Sequence, residues 1–392
     1  MPGPPELSAR AVALKPSLTL AIAAQAKALK NAGRDICSLS AGEPDFDTPD
    51  FIIEATRKAL RDGITRYGPA AGEPELRAAV AEKLSSTNGI ATTSEQVLIT
   101  NGGKQAIYNL FQVLLNPGDQ VLLPAPYWLS YPEMAALAGA EVKLIPTQAE
   151  GGFQLDINAL EAAITPRTRL LVLNTPGNPT GRVMPRQELE AVAEMVRRHP
   201  QLLVMSDEIY EFLLAQGEQH HSFAAIAPDL ADRCFTVNGF AKGWAMTGWR
   251  LGYLAGHKNV IKAAAALQSQ STSNVCSFAQ RGALAAIQGP RDCVDAMAES
   301  YNRRRLLLTE GLQAIEGITL VEPRGAFYAF PKLPESAGGS MDFCRHALEQ
   351  AGLAVVPGLA FGDDRCIRLS CAVSRETIRD GLSRLGQLLS TT

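Results

Sequence analysis

From about residue 50 the chain alternates between short apolar runs that end in polar or turn residues and longer stretches with helical spacing of apolar positions. Val97-Leu98-Ile99-Thr100 reads as a strand, and a helix starting near Gly102 runs to Leu115. Asn116-Pro117-Gly118-Asp119 is a turn, and Val121-Leu122-Leu123-Pro124 is the next strand. The runs at 141–145, 170–173, 202–206 and 234–237 repeat the theme, with a clear amphipathic helix at 186–199. Such a βαβ rhythm predicts a mostly parallel sheet with helices on both faces, an α/β fold. Ligands of these sheets gather beyond the carboxyl ends of the strands, so the residues just after each run are the ones to watch.

Both ends of the chain break this rhythm. The N-terminal part has one helical stretch, Ser17 to Asn31, and then the loop Ala41-Gly42-Glu43-Pro44-Asp45-Phe46. After Gln288-Gly289-Pro290 a long helix is expected from 291 to about 315, followed by short strands around 318–330 and 365–370. Three units follow: an N-terminal segment (1–48), a large unit (49–290) and a smaller α+β unit (291–392) with which the N-terminal segment packs. No repeat of solenoid or propeller period is present.

Composition narrows the classes. The 392 residues are 46% hydrophobic and 20% charged, enough for a large core, and the net charge of −3 favours neither nucleic acid nor an anionic membrane as partner. The densest basic run, Arg303-Arg304-Arg305, sits in a helical stretch and reads as a solvated face. Seven cysteines without a CxxC pair suggest neither a disulfide framework nor a zinc site. No run of about 18 apolar residues and no signal-like N-terminus occur, so a cytoplasmic protein is expected.

Candidate chemistry centres on the string from Gly239 to Gly252, just beyond the strand at 234–237. Lys242 lies there among small and apolar residues, surroundings that lower an amine's pKa and make it a nucleophile. Eight residues on, Arg250 offers a planar fork for a phosphate. Gly102-Gly103 opens a helix, whose N-terminus is an anion cradle. Arg368, between apolar neighbours in a strand, calls for an anionic partner.

The string around Lys242 resembles the attachment signature of class I aminotransferases, enzymes dependent on pyridoxal 5′-phosphate (PLP). Further landmarks stand in family order: Ala41–Phe46, Tyr67-Gly68-Pro69, Asn101–Gln105, Pro126-Tyr127-Trp128, Asn174–Gly181, Ser206–Tyr210 and Arg368-Leu369-Ser370. The likeness covers nearly the whole chain and is nearest to bacterial aspartate aminotransferases. It implies PLP fold type I, with a large three-layer domain and a smaller α+β domain. Lys242 is then the Schiff-base lysine and general base, and Asp207 holds the proton on the cofactor's pyridine nitrogen. Tyr210 and Asn178 bond its phenolic oxygen, Trp128 stacks on its ring, and Gly102, Gly103, Lys104 and Arg250 surround its phosphate. Tyr67 reaches the phosphate of the neighbouring subunit, which makes the protein a homodimer with shared active sites. Arg368, helped by backbone at Gly42, clamps the substrate's α-carboxylate.

The substrates implied are an amino acid and a 2-oxo acid, with aspartate and 2-oxoglutarate favoured because Lys104 stands where the branch reads a distal carboxylate, assisted by Ser17 and Thr19. Alternatives are an aminotransferase with prephenate or aromatic specificity, a PLP carbon–sulfur lyase of the same fold, and a non-enzymatic PLP-binding regulator. In one respect the chain departs from many relatives: Gly239 and Ala241 replace hydroxyl residues that bind the phosphate.

Overall fold

The computed structural model describes residues 5–14 and 18–390. Ser17 lies outside the described residues. Seven strands form the main sheet: β1 (Val97–Thr100), β2 (Gln120–Ala125), β3 (Glu141–Pro146), β4 (Thr168–Asn174), β5 (Leu203–Asp207), β6 (Cys234–Gly239) and β7 (Gly252–Ala255). Their spatial order is β1-β7-β6-β5-β4-β2-β3. All neighbouring pairs are parallel except those of β7, which runs antiparallel to both β1 and β6.

Strict alternation along the central strands buries both faces. Leu171, Leu173 and Val204 join one core, while Leu170, Val172, Leu203 and Met205 join the core on the other face. Helix α1 (Gly103–Leu114) covers the second face with Ala106, Ile107, Leu110, Phe111 and Leu114, an i, i+3/i+4 stripe. The helix Arg186–Arg198 buries Leu189, Val192, Val196 and their neighbours against the first face. Glu188 in its first turn and Arg197 and Arg198 in its last match the helix dipole.

A third core lies around the helix Asp292–Gln313, which fills the span expected for the long helix to within two residues at each end. Ile367–Ser370 pairs antiparallel with both Val356–Pro357 and Tyr328–Ala329. Cys37–Ser38 pairs parallel with Leu353–Ala354, and Cys37 and Leu39 enter this core. Tyr210 and Leu213, from the turn that follows β5, are buried in it too. The 207–213 turn therefore joins the main sheet to the third core. Among the described residues no helix is long and apolar enough to cross a membrane.

Candidate active site

The carboxyl ends of β2, β4, β5 and β6, the start of α1, residues 40–43 and Arg368 enclose a cavity of about 470 Å³. Its position is the one the parallel sheet dictates.

Asp207 ends β5, in register with Asn174 of β4 and Val237 of β6. Its carboxylate is buried and accepts hydrogen bonds from the Tyr131 hydroxyl at 2.7 Å and the Ile209 N–H at 3.2 Å. Burial pushes its pKa up to about 6, with those two hydrogen bonds pulling the other way. Tyr131, buried beside that carboxylate, has a pKa well above the usual phenol range and is held as the donor.

Lys242 follows β6 and is half-buried on the cavity wall. Burial lowers its pKa to about 8; Glu43 opposes that shift, and the positive charges of Arg368 and Arg250 add to it. Its Nζ donates to the Gly42 carbonyl at 2.6 Å and sits 5.7 Å from the centre of the Tyr210 ring and 5.6 Å from that of Phe327. No ion pair with an acid holds it among the described residues, so a large fraction of this amine is neutral and nucleophilic near pH 8. Tyr210 is buried, which raises its pKa well above the usual value, and its hydroxyl lies 3.0 Å from that of Tyr328.

In Ile367–Ser370 the alternation sends Ile367 and Leu369 into the third core and Arg368 to the opposite face, towards the cavity. Arg368 is 3% exposed. Its guanidinium donates to the Asn178 Oδ1 and the Ser40 carbonyl, both at 3.1 Å, and lies over the rings of Tyr328 and Phe361. Every one of these partners is neutral. No carboxylate pairs with it among the described residues, and its Nε has no hydrogen-bond partner. A buried cation so placed calls for an anion from outside the chain.

Gly102, the N-cap of α1, has φ +79°, a conformation natural to glycine. A Cβ there would stand 2.7 Å from Nη2 of Arg250. That guanidinium is tied to the Thr247 carbonyl at 2.8 Å and the Asn101 carbonyl at 3.3 Å. Helix N–H groups and a guanidinium thus converge on one end of the cavity. Gly239 explains its missing hydroxyl: a Cβ would lie 2.8 Å from the Gly252 Cα and 2.9 Å from the Leu251 carbonyl oxygen, so the sheet leaves no room for a side chain. A cradle for phosphate, a buried acid and an amine of lowered pKa around one cavity fit PLP.

Lys104 places its Nζ 5.0 Å from the centre of the Trp128 ring, and burial together with Arg250 lowers its pKa. Trp128 itself packs edge-on against Tyr131 at 5.3 Å, and Thr19 lines the same cavity. One chain thus brings together Gly42, Gly102, Gly103, Lys104, Trp128, Asn178, Asp207, Tyr210, Lys242, Arg250 and Arg368. Tyr67 is not among them; it is 93% exposed and away from the cavity lining. Sequence reasoning missed Tyr131, Tyr328, Phe361 and Ser40.

A parallel sheet with such a cradle, acid and amine at its carboxyl edge defines a PLP-dependent enzyme acting on carboxylate-bearing substrates. The chain belongs to the family described as aminotransferase class I and II, whose sequence profile matches residues 34–385. It is similar to the aspartate/prephenate aminotransferase of Thermus thermophilus, with 48% identity covering 98% of each chain. A bifunctional aspartate aminotransferase and glutamate/aspartate-prephenate aminotransferase of Petunia hybrida is 48% identical over 98% of this chain and 83% of its own length. Among solved structures, the aspartate aminotransferase of Thermus thermophilus with maleate superposes with a TM-score of 0.94 at 46% identity, covering 98% of this chain and all of that one, 100%. The aspartate aminotransferase of Rhizobium meliloti superposes with a TM-score of 0.95 at 38% identity, covering 98% and 99%. The protein is a PLP-dependent aminotransferase, and its substrates are amino acids and 2-oxo acids.

Proposed function

We propose that the enzyme moves the amino group between aspartate and 2-oxoglutarate. The observation that carries this reading is the buried, acid-free guanidinium of Arg368 in a cavity that also holds the cationic Lys104, one cation for each carboxylate of a dicarboxylic substrate. Maleate, bound to the Thermus aspartate aminotransferase, is itself a dicarboxylate.

Bound in this cavity, PLP supplies an electron sink that makes the substrate's Cα–H acidic. Lys242 would hold the cofactor in the resting enzyme, and its amine, of lowered pKa, would serve as the base that takes up and returns the substrate's Cα proton. Asp207 would hold the proton of the pyridine nitrogen, Tyr210 and Asn178 would bond the phenolic oxygen, and Trp128 would stack on the ring. Arg250 and the start of α1, with Gly102, Gly103 and Lys104, surround the phosphate. Arg368 and Gly42 orient the α-carboxylate so that the Cα–H faces Lys242. The cofactor then rests on the 49–290 unit, while Arg368 comes from 291–392 and Gly42 from the N-terminal segment. Tyr67, exposed in one chain, serves the site of a partner subunit in a homodimer. Seven free thiols suit a cytoplasmic location.

Lys104→Ala tests the substrate assignment through kcat/KM for aspartate and for phenylalanine. Losing a charge-assisted contact lowers the aspartate value about 30-fold, a cost of about 2 kcal/mol, and leaves the phenylalanine value within about threefold. Equal losses on both substrates would sink the dicarboxylate reading. Prephenate as a second amino acceptor is favoured by the names of the Thermus and Petunia relatives.

A further inference from the structure

Asp207 and Met205 project to one face of the sheet, and Ser206 and Val204 to the other. On the Ser206 side lies a buried ionic cluster that the proposed chemistry does not use. Glu208, fully buried, accepts from the Ser206 hydroxyl at 2.9 Å and the Ser222 hydroxyl at 2.6 Å, and lies 3.0 Å from Nε2 of His220. One turn on, Glu211 pairs with Lys83 and accepts from the Asn88 amide at 2.7 Å. Lys83 also lies 3.4 Å from the Tyr253 hydroxyl. The side chains of Lys83, Glu211 and His220 are 9%, 4% and 8% exposed.

The ligand atoms of Glu208, Glu211 and His220 lie within 4.8 Å of one another, close enough to suit a metal ion. The Lys83 ammonium already fills that place on Glu211. Two buried carboxylates therefore face one fixed cation, and a protonated imidazole supplies the second positive charge. The groups facing Nε2 of His220 agree with this, while its buried Nδ1 has no partner among the described residues. Burial works against its charge and Lys83 repels it, but Glu208 and Glu211 outweigh both and hold its pKa above the usual value.

We infer that His220, as an imidazolium, is a positioning residue: it completes the charge balance around Glu208 and so fixes, from behind, the turn that aims Asp207 and Tyr210 into the cavity. Glu208 is the hinge of this arrangement, because its N–H donates to the Val237 carbonyl and its own carbonyl accepts from Glu211 within the same turn. Without the imidazolium an uncompensated carboxylate sits one residue from Asp207, and it either repels that acid or takes up a proton and weakens the charge-assisted Ser206 and Ser222 contacts.

The inference rests on the assignment of Asp207 to the cofactor. It is tested by PLP affinity and by the absorbance-against-pH titration of the holoenzyme, compared among wild type, H220Q, H220Q/E208Q and D207N. H220Q is expected to weaken PLP about tenfold and to move the titration midpoint upward, as an added negative charge must. Removing the stranded carboxylate in H220Q/E208Q brings both readouts back to within about twofold of wild type. The inference is overturned if H220Q changes neither readout while D207N weakens PLP, or if the double variant is no better than H220Q. If D207N also binds PLP like wild type, the assignment of Asp207 is what fails. Should H220Q not fold, imidazole NMR of the unmodified holoenzyme decides the question. His220 mostly protonated at pH 7.5 supports the inference, and His220 mostly neutral at that pH overturns it.

Discussion

Replacing Arg368 by leucine separates a substrate clamp from a structural cation, because the two roles predict opposite signs for stability. In the cofactor-free protein the substitution removes two hydrogen bonds from a charged donor, those to Asn178 and Ser40, worth together about 3–6 kcal/mol. It also removes a buried charge that no acid compensates, and relief of that burial is worth several kcal/mol. The terms cancel or favour the variant, so thermal unfolding of the cofactor-free protein shifts by less than about 3 °C or rises. Catalysis moves the other way. Losing a bidentate pair with the α-carboxylate costs about 3–5 kcal/mol, a loss of roughly 10²–10³-fold or more in kcat/KM for aspartate, mostly through KM. The assays are calorimetry without cofactor and steady-state transamination of aspartate with 2-oxoglutarate. A fall in unfolding temperature of more than about 8 °C with kcat/KM kept within tenfold would refute the reasoning.

Lys242→Ala should abolish turnover, by about 10⁴-fold or more, and added small primary amines should restore part of it; retention of full activity without them would exclude Lys242 as the base. Asp207→Asn tests burial directly. Because folding raises this acid's pKa to about 6, the folded state holds the proton more tightly than the unfolded chain, and the stability that protonation confers is lost as pH rises through that window. The asparagine variant of the cofactor-free protein should accordingly be more stable than wild type at pH 7.5, by up to about 3 kcal/mol, and no more stable at pH 3; urea titrations at the two pH values read this out. Gly239→Ser should cost about 2–4 kcal/mol, since its Cβ meets the backbone at Leu251 and Gly252; unchanged unfolding in urea would contradict the crowding.

Much of the fold was legible because buried parallel strands are written as unbroken apolar runs, as at Leu170–Leu173 and Leu203–Met205. β7 escaped because Gly252-Tyr253-Leu254-Ala255 is short and follows directly on the cofactor string, so nothing local marks its antiparallel direction. Site residues carried by compact motifs were readable, Gly102-Gly103-Lys104 and Asp207 to Tyr210 among them. Their supports were not. Tyr131 meets Asp207 across 76 positions and Tyr328 meets Tyr210 across 118, and a single sequence carries no signal for such pairings. Tyr67, readable in its motif, is exposed and does not line this cavity among the described residues.

The turn from Asp207 to Leu213 has one foot in the sheet and the other in the third core. Asp207 and Tyr210 are therefore anchored to different bodies although only two residues separate them. Repacking around Leu312, Leu353 or Leu385, none of which lines the cavity, would displace the phenol of Tyr210 while leaving the acid in register with Asn174 and Val237. Such a chain has a fine adjustment on one side of the ring and a fixed stop on the other. Drift in the C-terminal third could thus retune the enzyme's substrate range with every signature residue unchanged.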